Sequence, residues 1–164
     1  MNARLQPHLA RRAMTTRDLD TVLAVETSAY RHPWSRANFI DSLAAGYLAE
    51  VLQWQGQLAG YFVAMVGVDE LHLLNVTVAP AQQSQGLGQW LLDAVQDHGC
   101  RLGLSTLLLE VRRSNTRAQA LYLRRGFAQV GERRGYYPAS QGREDALVMS
   151  LKLGAPGAPW HVVD

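Results

Sequence analysis

The sequence predicts an α/β fold in a single domain, a mixed central β-sheet flanked by helices on both faces. Three observations carry that prediction. From Tyr47 to Val78, runs rich in β-branched and aromatic residues are separated by Gln55-Gly56 and Asp69-Glu70, as strands are by turns. From Leu87 the period changes, and Leu87, Trp90, Leu91 and Val95 recur at helical spacing. Thr106-Leu107-Leu108-Leu109-Glu110-Val111 is then a nearly continuous apolar strand, of the kind found at the middle of a covered sheet. A strand, a helix and a strand in that order place the two strands parallel.

The remaining elements follow in order. Residues 1 to about 8 read as a loose leader, and Leu9 to Met14 as a first strand. Thr15 and Thr16 are start signals for a helix from about Arg17 to Ala29, with Leu19, Val22, Leu23 and Glu26 at spacings of three and four. His32-Pro33-Trp34-Ser35 ends it. Ser35 is placed to cap a short helix carrying Phe39, Ile40 and Leu43, stopped by Gly46. Tyr47 to Trp54 and Leu58 to Val66 form a hairpin, and Leu71 to Val78 the next strand. A helix runs from Gln89 to His98, before stop signals at Gly99 and Gly103. Another starts near Asn115, turns Ala118, Leu121 and Tyr122 inward, and ends at Gly126. Phe127 to Arg133 and Ala146 to Leu153 are the last strands, joined by an irregular segment from Gly135 to Gly142. Residues 1–153 make the domain, and 154–164, with two prolines and two glycines, a frayed tail.

Composition narrows the function classes. The 164 residues suit one sizeable core, with 48% hydrophobic and 18% charged residues and a net charge of +2. Arg11-Arg12, Arg112-Arg113, Arg124-Arg125 and Arg133-Arg134 are separated pairs on solvated faces, so no direct nucleic-acid partner is expected. One cysteine, Cys100, excludes an internal disulfide framework and a multi-cysteine metal site, and it reads as packed rather than catalytic. Histidines at 8, 32, 72, 98 and 161 have no ligand-like pairing, so no metal is expected; His72, between Leu71 and Leu73, reads as a tolerated face residue. No run approaches the roughly 18 to 20 apolar residues of a membrane span. A soluble, cytoplasmic protein with no membrane partner is expected; oligomeric state is not legible.

The chemistry gathers around Asn75-Val76-Thr77-Val78-Ala79-Pro80 and Gln83-Ser84-Gln85-Gly86-Leu87-Gly88. A strand enters a tight polar loop that opens directly into a helix. Unpaired amides and the positive end of the helix dipole make such a loop an anion cradle. Three phosphate sites compete for it. A P-loop needs Lys-Ser/Thr after its glycine, and Gln89-Trp90 follow Gly88. The dinucleotide fingerprint GxGxxG finds two glycines, and Glu110 where a ribose-binding acid would lie, but Leu91 fills the third glycine's place. The third pattern, Q/R-x-x-G-x-G, is met by Gln83, Gly86 and Gly88. Glu110 is either a surface acid at a strand end or a partly buried one whose pKa desolvation raises toward neutrality. Asn115 and Tyr122 lie seven positions apart, two helical turns, and can share a face.

Together these residues resemble the GCN5-related N-acetyltransferases, from about Thr16 to Leu153. The pieces are His32-Pro33-Trp34-Ser35, Gln83 to Gly88, Leu109-Glu110-Val111-Arg112-x-Ser114-Asn115, Ala120-Leu121-Tyr122 with Gly126-Phe127, and Tyr136-Tyr137-Pro138 with Gly142-Arg143-Glu144-Asp145-Ala146. The first and last are similar to family members that acetylate the N-terminal alanine of ribosomal protein bS18. His32 stands where an aromatic residue is commoner, and Gln83 where Arg often appears. The resemblance implies acetyl-CoA as acetyl donor and a splayed strand pair where it binds. Val76, Thr77 and Val78 would pair with the pantetheine arm, Gln83, Ser84, Gln85, Gly86, Leu87 and Gly88 would hold the pyrophosphate, and Asn115 would contact the cofactor beyond the thioester. It implies Glu110 as proton acceptor, Tyr122 as proton donor, and bS18 as the substrate protein.

The lack of an acyl-carrying nucleophile points to direct amine attack in a ternary complex. Tyr30, Trp34, Tyr136 and Tyr137 are candidate walls of a peptide groove, or else loop anchors; Glu26, Glu144 and Asp145 are candidate partners for substrate arginines. Acetylation of lysine side chains or small amines is the alternative activity. A non-enzymatic cofactor-binding module would dispense with Glu110 and Tyr122.

Overall fold

The structure is a computed structural model that describes residues 9–154. The expected leader, and the expected tail from residue 155, lie outside the described residues. Strands β1 (Leu9–Ala13), β2 (Leu48–Trp54), β3 (Gln57–Val66), β4 (Glu70–Val78), β5 (Thr106–Arg112), β6 (Ala128–Pro138) and β7 (Arg143–Lys152) form one sheet in the order β1-β2-β3-β4-β5-β7-β6. Four helices complete the fold: α1 (Leu19–Ala29), α2 (Arg36–Ala44), α3 (Leu87–Arg101) and α4 (Thr116–Arg125). The predicted mixed sheet is present. β2 and β3 are an antiparallel hairpin, β4 and β5 are parallel, and β7 runs antiparallel between β5 and β6.

Two compact units divide the chain. One runs through Val66 and takes in Leu74–Val95; the other holds Gly67–Leu73 and the chain from Gln96 onward. In the first, Met14, Leu19, Val22, Phe39, Val51, Tyr61 and Val63 form a buried cluster. Phe39 meets Trp34 with ring centroids 5.1 Å apart and the edge of Tyr61 at 5.9 Å. Ser35 caps α2 as expected, its hydroxyl accepting from the Asn38 N–H in a reciprocal capping box. Ile40 is exposed, because α2 turns only a narrow stripe inward. In the second unit Leu107, Leu109, Val111, Phe127, Leu147 and Met149 are buried. The alternation of buried and half-buried residues along β5 shows two faces of unequal cover.

The segment from Gly135 to Gly142 is not irregular throughout. Gly135 to Pro138 belong to β6, with Tyr137 opposite Glu144 and Pro138 opposite Arg143. A register shift between Arg133 and Tyr137 admits the extra residues, and Gly135 there has φ 56. Tight turning is confined to Ala139–Gly142, where the Ala139 N–H donates to the Gly142 carbonyl at 3.2 Å.

Candidate active site

In the first unit, β4 reaches the glycine loop through a short 3-10 turn, Pro80–Gln82, that the sequence did not suggest. Ser84 (φ 68) and Gly86 (φ 81) then reverse the chain through left-handed conformations, and α3 begins at once at Leu87. An added Cβ at Gly86 would meet nothing within 4 Å. That glycine serves backbone conformation and leaves open space over the loop. The first helical N–H groups, at Leu87 and Gly88, have no partner within the helix and carry its positive dipole end. Gln83 donates from its side chain to the Val78 carbonyl at 3.4 Å, tying the loop to the strand.

β4 alternates faces, with Leu71, Leu73, Asn75 and Thr77 buried and His72, Leu74, Val76 and Val78 half-buried. Its parallel register with β5 covers Glu70–Leu73 against Thr106–Leu109, and β4 continues to Val78. The buried face carries a polar chain centred on Glu26 of α1. Glu26 is buried, and its carboxylate accepts from the Tyr61 hydroxyl at 2.5 Å, the Asn75 amide at 3.1 Å and the Trp34 backbone N–H at 2.9 Å. Thr77 donates to Asn75 at 2.7 Å, and Tyr30 lies 2.7 Å from Thr77 and donates to the Val76 carbonyl at 3.1 Å. Burial pushes the Tyr30 hydroxyl up to about 12, although the ring edge stays exposed. Glu26 is thus an internal anchor of the segment from Tyr30 to Ser35 and not a receiver of substrate arginines. The spacing of Leu19, Val22 and Glu26 along α1 carried the signal, because it sets all three on the buried face.

In the second unit, Glu110 is partly buried, with only 6% of its side chain exposed. His72 Nε2 lies 2.5 Å from Oε2, and Arg133 Nε donates to Oε1 at 3.0 Å. Burial pushes the Glu110 carboxyl up, but the hydrogen bond and charge of His72, followed by those of Arg133, outweigh it. The carboxyl is held below the usual carboxylate range. This corrects the expectation of a raised pKa, which considered desolvation without partners from β4 and β6. It also corrects His72, which is no tolerated face residue but the partner of Glu110. The sequence did contain the signal: parallel pairing sets His72 opposite Leu108, on the same sheet face as Glu110 two residues on.

Asn115 and Tyr122 do not share a helix face, because Asn115 precedes the helix. Its side-chain oxygen caps α4 by accepting from the Ala118 N–H at 3.2 Å. Tyr122 is buried, its ring tilted against Phe127 at 5.5 Å. Tyr136 and Tyr137 meet edge to face at 4.9 Å; Arg133 lies over the first ring and Arg112 over the second. Burial, then the charge of Glu110, raises both hydroxyls above the usual tyrosine range. Glu144 accepts from Arg112 and from the Ser114 N–H, tying β7 to β5 and the loop after it, and Asp145 accepts from the Gly135 N–H, bracing the β6–β7 hairpin. Cys100 is buried, as expected of a packed thiol. No helix among the described residues is long and apolar enough to cross a membrane.

β4 leads through a left-handed glycine loop directly into α3, and β5 carries Glu110 two residues before its end. The chain belongs to the Acetyltransferase (GNAT) family, whose sequence profile matches residues 19–127. It is 40% identical over 141 residues to the ribosomal protein bS18-alanine N-acetyltransferase of Escherichia coli (strain K12), covering 86% of this chain and 95% of that one. The crystal structure of the ribosomal-protein-S18-alanine N-acetyltransferase from Escherichia coli superposes with a TM-score of 0.83 at 38% identity, covering 92% of this chain and 97% of that one. YncA of Salmonella typhimurium, solved with its cofactor acetyl-CoA, shares the fold at a TM-score of 0.72 and 20% identity, covering 93% and 98% of the two chains.

Proposed function

We propose that this protein transfers the acetyl group of acetyl-CoA to the N-terminal α-amino group of ribosomal protein bS18, in a cytoplasmic setting. The observation that carries the reading is 40% identity extending across 95% of an enzyme named for that reaction. The site offers the chemistry required. Acetyl-CoA suits the loop because the left-handed Gly86 leaves open space beside the α3 N-terminus, where an anion is favoured. Gln83 to Gly88 would hold the pyrophosphate, Val76, Thr77 and Val78 would offer backbone groups to the pantetheine arm, and Asn115 would contact the cofactor. When bound, acetyl-CoA supplies the activated acyl carbon and a thiol leaving group.

A free α-amino group has a pKa of about 7.7 to 8.0, so near neutral pH most of it is protonated and cannot attack. Glu110 and its partners take that proton. The freed amine would attack the thioester carbonyl within a ternary complex, and a β4 amide, of Val76 or Val78, would polarise the carbonyl oxygen. The departing thiolate, of ordinary pKa about 8.5, is protonated by the Tyr122 hydroxyl. Tyr136 and Tyr137, paired edge to face on β6, are candidates for contact with the acceptor peptide, as Tyr30 and Trp34 are by resemblance, unless they serve as loop anchors.

A peptide panel tests this reading. A basic peptide beginning with alanine is expected to be acetylated with release of CoA, and its N-blocked form with an internal lysine is not. Tyr122→Phe is expected to lower kcat by about 10²-fold with acetyl-CoA affinity unchanged. Equal acetylation of the blocked peptide would instead assign the protein to lysine side chains or small amines.

A further inference from the structure

The Glu110 carboxylate is poorly placed to be the atom that takes the substrate proton. Both of its oxygens are already acceptors, Oε2 for His72 and Oε1 for Arg133. It is also the more enclosed member of the pair, with 6% of its side chain exposed against 19% for His72. An ionised carboxylate can only accept hydrogen bonds, so the hydrogen between it and His72 sits on Nε2. In a neutral imidazole the other nitrogen, Nδ1, then carries a lone pair, and no hydrogen bond from it is found among the described residues. A carboxylate that fixes an imidazole tautomer so that the opposite nitrogen serves as base is a recurrent catalytic arrangement.

Resting on the acetyl-transfer reading above, we infer that His72 is the catalytic base of this site, with Nδ1 as the accepting atom and Glu110 as the positioning residue that orients it. An N–H bond of the substrate ammonium breaks and its proton bonds to Nδ1. The amine keeps the electron pair and attacks the thioester carbon; as the C–S bond breaks, the nitrogen gives up its second proton, which replaces the one that Tyr122 passes to the departing thiolate. The imidazolium so formed retains its Nε2–H bond to Oε2, and Glu110 stays ionised throughout and offsets the new positive charge. Turnover ends with loss of the Nδ1 proton to solvent. The charged and titratable groups facing the pair are Arg133, Tyr136 and Tyr137 of β6, with Arg112 of β5 over the Tyr137 ring.

Nitrogen NMR of the imidazole in the wild-type protein, combined with pH profiles of kcat, tests the assignment. Above its titration, His72 is expected to show a protonated Nε2 and a bare Nδ1. Wild-type kcat should fall on the acid side as the imidazole protonates. His72→Gln can still donate to Oε2 but cannot take a proton; it should lose that limb and lower the plateau by about 10²-fold or more. Glu110→Gln should keep an acid limb on a lower plateau, because the imidazole is still present but has lost the carboxylate that orients it. A bare Nε2, or a His72→Gln enzyme with the wild-type plateau and limb, would overturn the inference. Failure of the wild-type protein to acetylate any N-terminal peptide would overturn the parent reading instead, and the NMR tautomer would still report on the pair.

Discussion

At Glu110 burial and charge pull in opposite directions, and the charged partners win. The carboxyl is held low by His72 and Arg133, so its folded pKa lies below its unfolded one. Such a group contributes stability in full above the unfolded value, about 4.3, and loses it as pH falls through the folded value. The wild-type protein should therefore show a Tm that drops as pH is lowered from 5 toward 3. Glu110→Gln should flatten part of that slope; identical slopes in thermal melts would mean that the carboxylate gains nothing from its partners in solution. Glu26 shows the other way to keep an acid inside, with three donors around one carboxylate.

The element that matters most is β4, which contributes to both units and leads into the glycine loop. Its position is fixed partly by a close approach to β3. A Cβ built on Gly60 would stand 2.6 Å from the Thr77 carbonyl oxygen and 2.9 Å from Leu91 Cδ1. The first of these is backbone and cannot swing aside. Gly60→Ala should therefore displace β4 at Thr77, lower stability by about 1–3 kcal/mol in urea unfolding, and weaken acetyl-CoA binding measured by calorimetry. Unchanged affinity in a destabilised variant would separate the packing role of β3 from the cofactor strand.

For the whole molecule, a ligand that binds only the folded state raises its stability by mass action. Acetyl-CoA at 100 times its Kd should add about 2.7 kcal/mol, which at about 2–4 °C per kcal/mol for a chain of this size raises Tm by roughly 5–10 °C. NAD at the same concentration should leave Tm where it was. An equal shift with NAD would return the loop to the dinucleotide-binding class that Leu91 argues against.

The strands, the helices, the parallel β4–β5 pairing, the Ser35 cap and the glycine loop were legible from the sequence, because each rests on periodicity or turn chemistry between residues a few positions apart. The loop patterns, with Glu110, Asn115 and Tyr122 after them, were enough to indicate the family. What lay beyond reach was the charge balance set where side chains from several elements meet. His72, Glu110 and Arg133 come together from β4, β5 and β6, and only their meeting reverses the direction of the carboxyl pKa. Glu26 shares the inward spacing of Leu19 and Val22, but the donors that satisfy it, Tyr61 and Asn75, come from β3 and β4. Local order follows from neighbouring residues, whereas the protonation state of a buried group depends on which charges the tertiary fold brings within a few ångströms of it.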